Sequence, residues 1–119
     1  MDKINLSQKF RLFNDRWSPK IIAEPNGQYI KLAKVKGEFI WHDHKNEDEL
    51  FFVVKGNLTI KLREKDVQLE EGEIFVVPKG IEHKPVASEE AHVMVFEPKE
   101  TAHTGDIKSE LTVEKQDWI

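Results

Sequence analysis

The chain has 119 residues, 39% of them hydrophobic and 34% charged, with a formal charge of −4 and no cysteine. That length suits one domain with its own core. The composition excludes a disulfide framework and thiolate metal ligands, and the absence of a basic run argues against a nucleic-acid partner.

No apolar stretch approaches the roughly 20 residues needed to cross a bilayer. The opening residues, Met1 to Asn5, lack a signal-peptide pattern, so the expectation is a soluble cytoplasmic protein. Leu6, Phe10 and Phe13 recur at helical spacing behind Asn5 or Ser7 as N-cap. They predict a short amphipathic helix over about residues 5–15, covering one end or face of a barrel and closed by Trp17-Ser18-Pro19.

From residue 20 the period changes to two. Strands are expected at 20–23, 28–35, 38–42, 50–54, 58–63, 67–69, 74–77 and 91–96. Turn signals separate them: Pro25-Asn26-Gly27, Lys36-Gly37, Lys55-Gly56-Asn57, Glu64-Lys65-Asp66, Glu71-Gly72 and Pro78-Lys79-Gly80. Many short strands joined by tight turns predict an all-β sandwich or barrel rather than an α/β fold. The barrel core would span about residues 20–98 of a single domain, 1–119, with a polar tail over 99–119. In that tail, His103-Thr104-Gly105-Asp106 reads as a turn. The apolar pair Trp118 and Ile119 reads as a docking element, on this barrel or on a second subunit.

The most informative residues are two spaced groups. The first is His42-x-His44-x4-Glu49-x6-Gly56, and the second is Gly72-x5-Pro78-x-Gly80-x2-His83. Alternation on a strand puts His42 and His44 on one face, with Ile40. Glu49, Phe51 and Val53 share a face of the next strand, and a short polar connection would fold Glu49 back beside the histidines. His83 must arrive from a third strand. Three imidazoles and one carboxylate are a ligand set for one divalent transition metal; Fe, Mn, Ni, Zn and Cu all remain open. On an octahedral ion, four protein ligands leave two positions for waters, substrate or dioxygen.

Each part has a plainer reading alone: histidines on a strand edge, one glutamate among many, a hydrogen-bonded core histidine. Together with the glycines and proline at these offsets they point to a metal site. Ile40, Phe51, Val53, Met94 and Phe96 are candidates for a substrate-pocket wall, with plain core as the plainer alternative. Trp41 faces away from His42 and is expected under the helix or at a subunit contact. His92 and His103 read as surface or structural residues. No catalytic acid or base is identifiable.

This pattern resembles the small single-domain members of the cupin family. Gly37 to Gly56 matches that family's first motif, although only four residues separate Gly37 from His42. Gly72 to Ala87 matches the second, with Ala87 where the family carries asparagine. The resemblance implies a jelly-roll barrel of six to eight strands, metal ligands His42, His44, Glu49 and His83, and a homodimer. Cupins host many chemistries. One expectation is a metal-dependent oxygenase or isomerase acting on a small oxygen-rich substrate. The alternative is a non-catalytic barrel that binds or senses a small molecule through its metal. A metal-free sugar-binding or structural barrel is a third.

Overall fold

The computed structural model describes residues 1–99 and 115–119. Helix α1 is short, Leu6–Phe10; the Asn5 side chain caps it by accepting the Gln8 N–H at 2.9 Å. Phe10 and Phe13 leave it buried and pack with Ile22 and Leu32 on the outer face of the barrel.

Eight strands follow: β1 Lys20–Ala23, β2 Gln28–Glu38, β3 Glu49–Lys55, β4 Leu58–Leu62, β5 Asp66–Leu69, β6 Ile74–Val77, β7 His83–Pro98 and β8 Asp117–Trp118. They pair in the order β5-β4-β7-β2-β1-β8, and β3 joins both β6 and β7. The architecture is the expected all-β jelly roll. Strand β7 organises it: its first residues pair with β4, its later residues with β3, and β2 runs beside it from Val86 to Pro98. A second core fills the space within, built on Ala33, Val35, Phe51, Val53, Ile60 and Val93.

Two elements differ from the sequence expectation. The strand expected at 91–96 is the later part of a 16-residue β7 that also takes in Ser88-Glu89-Glu90. These residues bulge outward where the β2 register slips between Val35 and Gly37. The predicted strand at 38–42 divides instead: Glu38 ends β2, and beyond it His42 alone bridges to His83. Trp41 does not sit under the helix; the Arg63 guanidinium stacks 3.8 Å from its ring centroid.

The turn after β3 requires glycine. Gly56 has φ +86°, and a Cβ there would meet the backbone of Glu90 and Ala91 at 3.2–3.3 Å. Strand β8 docks on its own barrel, parallel to β1, with Trp118 edge-on to Tyr29 and the Ile119 N–H donating to the Ile21 carbonyl. The expected turn at His103 to Asp106 lies outside the described residues.

Candidate metal centre

His42, His44, Glu49 and His83 come together inside the barrel; one potential ligand atom from each lies within 4.8 Å of all the others. None is more than 4% exposed. The backbone builds this convergence. His42 and His83 exchange two main-chain hydrogen bonds, at 3.0 and 2.9 Å, which fixes them side by side. The Pro78-Lys79-Gly80 turn is fastened to the histidine loop twice: Gly80 N–H donates to the His44 carbonyl, and Lys79 N–H to Asp48 Oδ1. Gly80 takes φ +81°, the left-handed conformation that this turn needs. Glu49 enters as the first residue of β3.

The side chains are oriented for ligation. His42 Nδ1 and His83 Nδ1 each lie 2.9 Å from a carbonyl oxygen, those of Ile40 and Ile81. With Nδ1 turned to a carbonyl, Nε2 is the nitrogen of each ring placed to ligate a metal. His83 Nε2 lies 3.3 Å and His44 Nε2 3.4 Å from the same oxygen, Glu49 Oε1. His44 Nε2 is outside hydrogen-bond geometry with that oxygen and, among the described residues, is a buried nitrogen without a hydrogen-bond partner. Such an orphan is what a metal ligand looks like before its ion is added. Two donors on opposite sides of a transition-metal ion are about 4.2 Å apart, so a spread of 4.8 Å needs only small side-chain closure. The four residues fit a divalent transition metal.

The electrostatics agree. Burial first, and the neighbouring His83 second, push His42 down to about 4, so its ring is neutral at physiological pH, as ligation requires. Burial alone would lower His44, but the Glu49 carboxylate beside it outweighs that and raises it. Burial would likewise raise Glu49, and the His44 and His83 imidazoles outweigh it, holding the carboxyl well below its usual range.

The centre opens onto a cavity of about 50 Å³, lined in part by Trp17, Phe39, His42, Glu49, Phe51 and Val95. Trp17 stacks on Phe39, whose edge meets the His42 ring. Of the expected wall residues, Phe51 lines this cavity, and Val53 lies in the surrounding core on the same face of β3. Met94 and Phe96 do not line it, because the phase of β7 turns Val93, Val95 and Glu97 inward instead. Ile40 contributes its carbonyl to His42 rather than a side-chain wall. His92 stacks on Phe10 and pairs with Glu90, a structural role.

Two lining residues escape a reading of the sequence: Lys31 and Glu97. They form an ion pair at 2.8 Å, and each is 1% exposed. Burial and the Glu49 charge hold the Glu97 carboxyl well above its usual range, against the pull of Lys31. The signal was strand phase: Lys31 alternates with Ala33 and Val35, and Glu97 with Val93 and Val95.

Comparison with known proteins agrees with this geometry. Residues 29–98 match the family model described as Cupin domain. The solved structure of a cupin-2 domain containing protein from Shewanella frigidimarina NCIMB 400 superposes with a TM-score of 0.80 at 51% identity, covering 81% of this chain and 94% of that one. Among curated proteins, the uncharacterized protein YdbB of Bacillus subtilis is 38% identical over 64 residues, 53% of this chain and 57% of its own. The 3-hydroxyanthranilate 3,4-dioxygenase of Ruegeria pomeroyi is 39% identical over 70 residues, 53% of this chain and 38% of its own. The chain spans about half the length of the curated relatives it matches.

Proposed function

The chain belongs to the cupin family, and from that premise we propose that it is a metal-dependent oxygenase acting on a small oxygen-rich molecule within the barrel. The observation that carries this reading is the convergence of His42, His44, Glu49 and His83 on the wall of a mostly apolar internal cavity. A divalent transition metal bound there would supply Lewis-acid polarisation of a substrate oxygen and, if redox-active, a route to dioxygen.

The chain's own residues do the rest. The Ile40 and Ile81 carbonyls hold two imidazoles in the ligating orientation. Glu49 supplies one negative charge, so the site with a divalent ion would carry +1 and favour an anionic or oxygen-donor ligand. Trp17, Phe39, Phe51 and Val95 exclude bulk water from that ligand, which strengthens every charge interaction inside.

Relatives described as 3-hydroxyanthranilate 3,4-dioxygenases support oxygenation over isomerisation. Metal-stripped protein restored with Fe(II), Mn(II), Ni(II) or Zn(II) and offered diketones, hydroxy ketones and sugars tests the proposal. Dioxygen uptake with a redox-active ion and none with Zn(II) is expected. No turnover with any ion would contradict it, and conversion independent of dioxygen would favour the isomerase.

The domain is further proposed to work in the cytoplasm as a homodimer, with a small molecule rather than nucleic acid or a membrane as its partner. Among the described residues no helix is long and apolar enough to cross a membrane. Among the described residues β6 pairs with β3 alone, and Ile74 and Val76 are exposed on one face, an apolar strip suited to a second copy. Sedimentation at micromolar concentration distinguishes dimer from monomer.

A further inference from the structure

The Lys31–Glu97 pair invites a functional reading. An ion pair stripped of water contributes little to stability, and well-packed apolar residues would serve a core as well. This pair lies on the cavity wall beside two of the candidate metal ligands, His42 and Glu49. Lys31 satisfies only half of it: Lys31 Nζ donates to Glu97 Oε1, while Glu97 Oε2, beside the Glu49 carboxyl, is buried with no well-formed hydrogen bond among the described residues. A buried carboxyl oxygen without a partner is costly unless something else supplies one.

We propose that Glu97, positioned by Lys31, is a specificity subsite whose free oxygen pairs with the hydroxyl group of a small acyclic α-hydroxycarbonyl ligand. This rests on the metal-centre reading above and names the substrate class for it. Three features select that class. A hydroxyl both donates and accepts, so it satisfies Glu97 in either protonation state. Glu97 adjoins Glu49, closely enough for the two carboxyls to influence each other, so the recognised hydroxyl must sit next to the oxygen that faces the metal ligands. The cavity holds about 50 Å³, well under the about 150 Å³ of an apolar cavity that admits a benzene ring, which favours a short open chain over a ring. Ala33, Val35 and Val93 leave its carbon skeleton an apolar bed.

The test is calorimetric titration of Zn(II)-loaded protein with glycolate and with propionate, which replaces the hydroxyl by a methyl of similar size. Glycolate is expected to bind at least tenfold more tightly. In the double variant K31M/E97M, which leaves no lone buried charge, zinc stoichiometry should be retained. Glycolate affinity should fall at least tenfold and propionate affinity less than threefold. In K31M/E97Q, whose amide both donates and accepts, the glycolate preference should return. Equal affinities in zinc-loaded wild type, or an unchanged glycolate preference in K31M/E97M, would overturn the subsite alone. Failure of the wild type to take up zinc would overturn the metal reading and the subsite with it. Should K31M/E97M not fold, NMR cross-saturation from bound glycolate to the Glu97 methylenes in the wild type decides: transfer supports the subsite and its absence overturns it.

Discussion

Glu49 and His83 are 34 residues apart in the chain, yet His83 Nε2 lies 3.3 Å from Glu49 Oε1 inside the barrel. That contact closes the ligand set, because it joins the β3 edge of the site to the start of β7. It is also made between a buried carboxylate and a buried imidazole, two groups that a cation entering between them would hold together.

Removing the metal should therefore lower stability. A ligand that binds only the folded state at a hundredfold excess over its Kd contributes about 2.7 kcal/mol. For a chain of this size that is a fall in Tm of roughly 10 °C. Chelator-treated and metal-restored protein, compared by differential scanning calorimetry, should differ by this amount. His44→Ala, which removes the orphan nitrogen, should melt at one temperature with or without added metal.

Acid should destabilise the metal-free protein through His42. Its folded value, about 4, is below the ordinary imidazole value of 6.5, so the unfolded chain binds the proton first. The contribution is fully present above pH 6.5 and is lost as pH falls from there to about 4. The total is about 3 kcal/mol. The raised His44 works in the opposite direction. The measurement is thus a comparison of urea unfolding at pH 7 and pH 5 for wild type and His42→Asn. The wild type should lose more stability over that interval; equal losses would contradict the assignment.

Much of the site was legible because its spacing carries the chemistry. His42, His44, Glu49 and His83 belong to turns and strand ends whose glycines and proline set the offsets, and local pattern sufficed to group them. Lys31 and Glu97 were not legible for the opposite reason. Charged residues are rarely buried, and strand alternation with Ala33 and Val35, or with Val93 and Val95, is a weak local mark against that expectation. Their inward placement depends on the phase of β2 and β7 and on a register that puts Lys31 opposite Val95 and Tyr29 opposite Glu97, making the ion pair a diagonal neighbour. The same non-local pairing hid the length of β7, since the polar Ser88 to Glu90 break the alternation that marks 91–96 and are spanned only when β2 is laid beside them. The phase of β7 likewise moved Met94 and Phe96 off the cavity wall.

Gly56 provides a purely structural check. Gly56→Ala combines a positive φ with contacts of 3.2–3.3 Å to the backbone at Glu90 and Ala91, which cannot swing aside as a side chain could. A loss of about 2–3 kcal/mol is expected, measurable by chemical denaturation. A change below about 0.5 kcal/mol would be typical of an ordinary surface site and would show that this turn relaxes freely.

The most direct measurement is the metal content, by elemental analysis, of protein purified without an affinity tag, set beside that of His83→Ala prepared identically. About one divalent transition-metal ion per chain is expected in the wild type and almost none in the variant. A wild type free of metal after growth in metal-supplemented medium, or a variant holding as much as the wild type, would contradict a centre built on these four side chains.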